Sequence, residues 1–348
     1  MTRISSALAL VLLLAARTGA AQAPPAAKPA ADSARVGELV AHARAAAGTQ
    51  WAETVDFFCG RDTARANRAD DPELTPARVF DNLYALGRTS TVIWAIKTPA
   101  GIALIDAGYP DQVESVVLPG LRKLGLDPTD VKLVLLAHGH ADHFGGAVYF
   151  QRLGARVALS AADWDLMQNP PAAPPTTAPS PAANASPSPP GSPSAALAAL
   201  PPPKRDIIVI DGQPLELGGV SFTPVAIPGH TPGSLGFVFK VVDGDRAHTA
   251  ALFGGSILLS SRIPDAGLEQ YVRSVEHFAA VTRQLGVDVE IQNHPLYDGF
   301  EAKLAQLAAR KPGAAHPFVV GTDGYQNFLT VMGDCARVEL ERRKSAAR

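Results

Sequence analysis

The chain has 348 residues, with 31 Lys and Arg against 33 Asp and Glu and a formal net charge of −2. That balance gives no electrostatic case for nucleic acid or an anionic membrane as partner. Hydrophobic residues make up 47% of the chain, enough for one sizeable core, and the aliphatic content suits an α/β protein.

The first segment, MTRISSALALVLLLAARTGAAQA, reads as a secretory signal peptide over residues 1–23. Arg3 supplies the basic start, Ile4 to Ala16 is apolar but too short to span a bilayer, and Ala21 to Ala23 fits the small-x-small cleavage pattern. Residues 24–34 read as a flexible tail, and 35–348 as one domain. No later stretch qualifies as a transmembrane helix, so the expected location is periplasmic or secreted, with no membrane contact after cleavage.

Thr91 to Lys97 and Gly101 to Asp106 read as strands joined by a turn at Pro99-Ala100. Asp111 to Leu124 has helical spacing and stops at Gly125. Lys132 to Ala137 reads as a buried strand, Phe144 to Leu153 as a helix, and Arg156 to Leu159 as a strand. Asn169 to Lys204 is Pro, Ala and Ser with almost no charge, a composition unable to repay its ordering entropy; it reads as a disordered surface insertion. Strands follow at Ile207–Ile210, Ser221–Ile227, Leu235–Val242 and Thr249–Phe253. Leu268 to Leu285 reads as an amphipathic helix with Leu268, Val272, Val275, Phe278 and Leu285 on one face. Val287 to Gln292 is a strand, with helices from Phe300 to Arg310 and from Asp323 onward. This order suggests two sheets packed face to face with helices outside both.

The chemistry concentrates in LVLLAHGHADHFGG, residues 133–146, which crowds His138, His140, Asp142 and His143 behind a strand. Imidazoles and a carboxylate that close must be paired, hydrated or bound to something positive. His230 in PGHTPGS and His294 in QNHPL also follow strands. Neutral imidazole and carboxylate are the ligands zinc accepts. Six ligands from three loops suit two ions that share a water and lower its pKa. Ser234 and Ser256 lack the Gly-x-Ser-x-Gly elbow of a serine nucleophile. His42, His248, His277 and His316 lack ligand context. Trp94 and Trp164 read as core, Tyr109 as either a mouth residue or a packed surface aromatic, and Asn293 as a turn residue. Cys59 and Cys335 form one bridge or remain two buried thiols, outside the metal site in either case.

HGHADH, GHTPGS and a later lone His-Pro resemble the metallo-β-lactamase superfamily of binuclear zinc hydrolases, from about Phe80 to the C-terminal helices. The resemblance implies a four-layer αββα sandwich and two Zn2+. His138, His140 and His230 would bind the first, and Asp142, His143 and His294 the second. Asp106 in LIDAG would be the buried aspartate that orients the ligand loop. Many relatives carry a metal-bridging aspartate where LFGGSIL places Ser256. A hydroxyl there is similar to the third subclass of class B β-lactamases, in which it helps hold the substrate carboxylate through water. Leu258 departs from the second hydroxyl that subclass usually carries, with Ser260 and Ser261 following. The expected reaction is attack of a bridging hydroxide on a β-lactam carbonyl, with oxyanion stabilisation at the first zinc and proton return through Asp142 or water. Hydrolysis of another small ester, lactone, thioester or amide is the alternative, and a silent zinc-binding interaction protein the second. The expected partner is a small-molecule substrate; the oligomeric state is open.

Overall fold

The computed structural model describes residues 34–60, 71–169, 200–258 and 263–347. The signal peptide, all but Ala34 of the expected tail, residues 170–199 of the insertion, and Ser260 and Ser261 lie outside them. The layering can be read from one strand. In β3 (Val92–Thr98), Val92, Trp94 and Ile96 enter one cluster of buried side chains, while Ile93 and Ala95 enter another. Successive side chains of a strand point to opposite faces, so β3 is covered on both sides.

Among the described residues, the first sheet runs in spatial order β1 (Ala77–Arg78), β2 (Leu83–Gly87), β3, β4 (Gly101–Ile105), β5 (Val131–Leu135), β6 (Arg156–Leu159) and β7 (Ile207–Ile208). β1 to β4 pair antiparallel, and β4 to β7 pair parallel. The second sheet runs β12 (Val289–Ile291), β11 (Arg246–Leu252), β10 (Leu235–Asp243), β9 (Val220–Ala226), β8 (Leu215–Leu217); only the β11–β12 pair is parallel.

Trp94, Ile96, Ile105 and Leu135 of the first sheet meet Phe222, Phe237, Phe239, Leu252 and Ile291 of the second in a shared apolar layer. Outside the first sheet lie α3 (Leu118–Lys123, led in by a π-helical turn over Val113–Val117), α4 (Ala141–Phe144), α5 (Ala147–Arg152) and α6 (Ala161–Gln168). Outside the second lie α1 (Ala34–Ala47), α2 (Ala52–Phe58), α7 (Asp265–Gln284) and α9 (Thr322–Ala346). The helix α8 (Phe300–Ala308) buries Phe300 in the inter-sheet layer. This is the four-layer αββα sandwich. Trp94 and Trp164 are core, as expected.

Several expectations need correction. The helix expected over Phe144–Leu153 is two short helices broken at Gly145-Gly146. A Cβ on Gly145 would stand 2.3 Å from Pro110 Cδ, and one on Gly146 2.3 Å from the Ala107 carbonyl oxygen. The chain must pass the end of β4 that closely, which a continuous helix of larger residues would prevent. Leu285 is not on the buried face of α7. The helix ends at Gln284, the chain turns at Gly286 with φ +64°, and Leu285 is 39% exposed. β2 and α6 were not anticipated. Cys59 and Cys335 are joined in a disulfide that ties the end of α2 to α9.

Candidate metal centre

The six candidate ligands leave the C-terminal ends of β5, β9 and β12, where α/β sheets open toward a crevice. The two sheets are laced together there. Leu235 N, at the start of β10, donates to the Ala137 carbonyl at 2.8 Å, and Val92 N donates to the Asn293 carbonyl at 2.8 Å. Those two bonds set the ligand loops of one sheet against those of the other.

His138, His140 and His230 present ring nitrogens within 4.8 Å of one another. His140 Nδ1 and His230 Nε2 are 3.1 Å apart. His230 donates from Nδ1 to the Ile257 carbonyl at 2.8 Å, which leaves Nε2 as the lone-pair donor aimed inward. His138 is wholly buried, and neither of its ring nitrogens has a hydrogen-bond partner among the described residues. Burial and the neighbouring imidazoles hold His138 well below the ordinary histidine range, and burial and His140 hold His230 at about 3. Neutral imidazole is the form that ligates metal.

Asp142, His143 and His294 form the second group. His143 Nε2 lies 3.0 Å from His294 Nε2, and Asp142 Oδ2 lies 3.2 and 3.4 Å from those two nitrogens. The edge of a tetrahedron of ligands around Zn2+ is about 3.3 Å. His294 donates from Nδ1 to the Ser90 carbonyl at 2.7 Å, and His143 Nδ1 meets Asp106 Oδ2 at 2.7 Å. Burial opposes charge on His143, but Asp142 and Asp106 outweigh it and push its pKa up to about 10. Burial alone would raise Asp142, yet His143 and His294 hold its carboxylate far below the usual range. Each group could therefore hold a metal ion, a bound cation taking the place of the proton that His143 otherwise keeps. Each group offers three converging donors, three of the histidines have their second nitrogen committed outward, and the orphaned nitrogens of His138 call for an electrophile.

Asp106 lies just past β4, fully buried, with φ +64°, the single non-glycine positive φ among the described residues. Its Oδ1 accepts from Ala137 N at 2.8 Å, and its Oδ2 also accepts from Asn293 Nδ2 at 3.0 Å. Asn293, read from sequence as a turn residue, is thus a buried support beside His294. Ser90 is a further support that sequence reasoning missed, since a backbone carbonyl carries no residue-type signal. Ser256 is buried beside the Tyr297 phenol, and Tyr271 donates its hydroxyl to the Ser256 carbonyl at 3.1 Å. Tyr109 is half-buried, and burial, followed by the Asp142 charge, pushes its phenol up.

The four histidines without ligand context are occupied elsewhere. His42 pairs with Asp334, His248 with Asp288 and His277 with Asp211, while His316 Nε2 donates to the Val79 carbonyl.

A sequence profile described as the metallo-beta-lactamase superfamily matches residues 85–281. The chain is 31% identical over 156 residues to a hydroxyacylglutathione hydrolase from Acidiphilium cryptum and 26% identical over 202 residues to one from Pseudomonas putida. It spans about half the length of these curated relatives, 45% and 59%. Among solved structures, BJP-1, a subclass B3 metallo-beta-lactamase of Bradyrhizobium japonicum, aligns with TM-score 0.62 and 24% identity over 79% of this chain and 97% of that one. The Rm3 metallo-beta-lactamase aligns with TM-score 0.60 and 26% identity over 79% and 96%. Native FEZ-1 from Legionella gormanii aligns with TM-score 0.61 and 21% identity over 79% and 99%.

Proposed function

The chain belongs to the metallo-beta-lactamase superfamily of hydrolases, and from that premise we propose that it is a binuclear zinc enzyme that opens the amide of a β-lactam ring. The observation that carries the choice of substrate is Ser256, a hydroxyl residue behind His230 where many relatives have a metal-bridging carboxylate. Two groups of three ligands without a shared carboxylate match the resemblance to the third β-lactamase subclass.

In this reading, His138, His140 and His230 hold one cation, and Asp142, His143 and His294 the other. Bound Zn2+ supplies Lewis acidity toward the carbonyl oxygen and a nucleophilic water at neutral pH. Asp142 stays ionised at neutral pH, accepts a hydrogen bond from that nucleophile, orients it, and relays its proton toward the leaving nitrogen. Asp106 and the Ser90 and Ile257 carbonyls keep the ligating tautomers in place. Ser256 holds the substrate's carboxylate through a water.

A thioester substrate is the second reading, favoured by the hydroxyacylglutathione hydrolases among the relatives. The test is a chromogenic cephalosporin beside an S-acyl glutathione, each assayed with zinc and after chelation. Turnover of the cephalosporin that chelation abolishes and zinc restores is the expected result. Thioester turnover at least tenfold faster would transfer the proposal to the second reading. Cephalosporin turnover indifferent to chelation would end the first.

Export to the periplasm or medium belongs to the same proposal. The signal-peptide pattern at residues 1–23 supports it, as does the Cys59–Cys335 bridge, a bond that persists in oxidising compartments. Among the described residues, no helix is long and apolar enough to cross a membrane. N-terminal sequencing of the exported chain should begin after Ala23.

A further inference from the structure

The second ligand group has a buried carboxylate, Asp106, that spans its two segments, touching His143 on one side and Asn293, the neighbour of His294, on the other. The first group also comes from two segments, the His138–His140 loop after β5 and the His230 turn after β9. We propose that Asp163, on α6, is the positioning residue that holds those two segments at the spacing a cation needs. The inference rests on the metal-binding reading above and deepens it.

Asp163 has no solvent exposure. Its Oδ2 accepts from the backbone N–H of Gly139 at 2.7 Å, and Gly139 lies between His138 and His140. The same oxygen accepts from Thr231 Oγ1 at 2.6 Å, one residue past His230. Oδ1 accepts from Gly233 N at 2.8 Å. One carboxylate thus bridges loops from different sheets, and every group facing it donates. The hydroxyls of Thr231 and Ser234 are 2.6 Å apart, which extends the contact along the His230 turn.

The approach is tight on both sides. A Cβ on Gly139 would lie 3.0 Å from the Asp163 carbonyl oxygen. One on Gly233 would lie 2.0 Å from Ser160 Oγ and 2.8 Å from Asp163 Oδ1. Ser160 caps α6 by accepting from Asp163 N at 3.2 Å, so the helix start is held against the turn. The three groups bonded to the Asp163 carboxylate are the backbone N–H of Gly139, the backbone N–H of Gly233 and the hydroxyl of Thr231. Asp163 acts through the chain on either side of the candidate ligands, so its removal should alter where the nitrogens point rather than their basicity.

The decisive variant is Asp163→Asn. An amide offers one acceptor oxygen, and its NH2 must then face either the Gly139 or the Gly233 N–H, which loosens one loop from the other. The full chain is titrated with zinc against a chromophoric chelator, and Co2+-loaded samples are compared by d–d absorption. Wild type is expected to take two equivalents. Asp163→Asn is expected to weaken one equivalent roughly tenfold or more and to change one set of Co2+ bands, leaving the other equivalent in place. Asp106→Asn should weaken the other equivalent. If Asp163→Asn does not fold, Thr231→Val removes one of the three bonds and should shift the same step by a smaller factor, with Thr231→Ser restoring it. Two wild-type binding steps in folded Asp163→Asn, or in Thr231→Val, would overturn the proposal and leave Asp163 as a packing residue. Zero equivalents on the wild-type chain would instead overturn the metal reading, and the clamp with it.

Discussion

At the scale of single residues, two buried carboxylates, Asp106 and Asp163, brace the segments that carry the ligands. Asp106 sits in a left-handed backbone conformation that Asn and Asp tolerate better than other non-glycine residues. Asp106→Asn therefore keeps the turn but turns an NH2 toward a donor, either Ala137 N or the His143–Asn293 pair. A loss of about 10- to 100-fold in zinc affinity at one of two sites is expected, read by chelator competition. Unchanged affinity would remove Asp106 from the support of His143.

Glu290 illustrates a second kind of buried acid. Burial pushes it up to about 7, although Lys303 Nζ lies 2.6 Å from Oε2 and works in the opposite direction. Between its ordinary value of 4.5 and about 7, the folded chain holds a proton that the unfolded chain has released. The stability this contributes is full below pH 4.5 and is lost as pH rises through about 7. In denaturant titrations from pH 5 to 8, Glu290→Gln, which copies the protonated acid, should differ least from wild type at the acidic end. A constant difference across that range would contradict the assignment.

At the scale of elements, helix faces and one covalent tie do the holding. Phe278 on α7 is fully buried against β10, where a Cβ on Gly236 would stand 2.3 Å from its ring. Phe278→Ala should cost about 3–5 kcal/mol, whereas Leu285→Ala, beyond the end of the same helix, should stay within about 0.5 kcal/mol. Comparable losses for the two would mean that Leu285 shares the buried face after all. The Cys59–Cys335 bridge closes a separation of 276 residues and fastens α2 to α9. Removing a native disulfide typically costs about 2–5 kcal/mol. Unfolding midpoints of wild type and a Cys59→Ala/Cys335→Ala chain should therefore diverge under oxidising conditions and converge under reduction.

At the scale of the whole molecule, the ligand groups draw on both sheets, so cation binding favours the assembled sandwich over the unfolded chain. Zinc at 100 times its Kd should add about 2.7 kcal/mol. The melting temperature should rise with free zinc and fall on chelation; a midpoint indifferent to both would mean that no such linkage exists. By itself the sequence determined most of the strands and helices and the six ligand candidates, and the resemblance carried by LIDAG pointed to Asp106. Strand periodicity and a dense run of histidines are local signals, and the spacing of HGHADH is a property of one short loop. The tertiary structure alone decided that Asn293, Ser90 and Asp163 serve those ligands, that Leu285 faces outward, and that the two cysteines meet. Each of these depends on contacts between segments tens to hundreds of residues apart, or on the residue at which a helix stops. Hydrogen bonds to a backbone carbonyl or N–H leave no mark on the type of residue that supplies it, so only the packed sheets bring them into view.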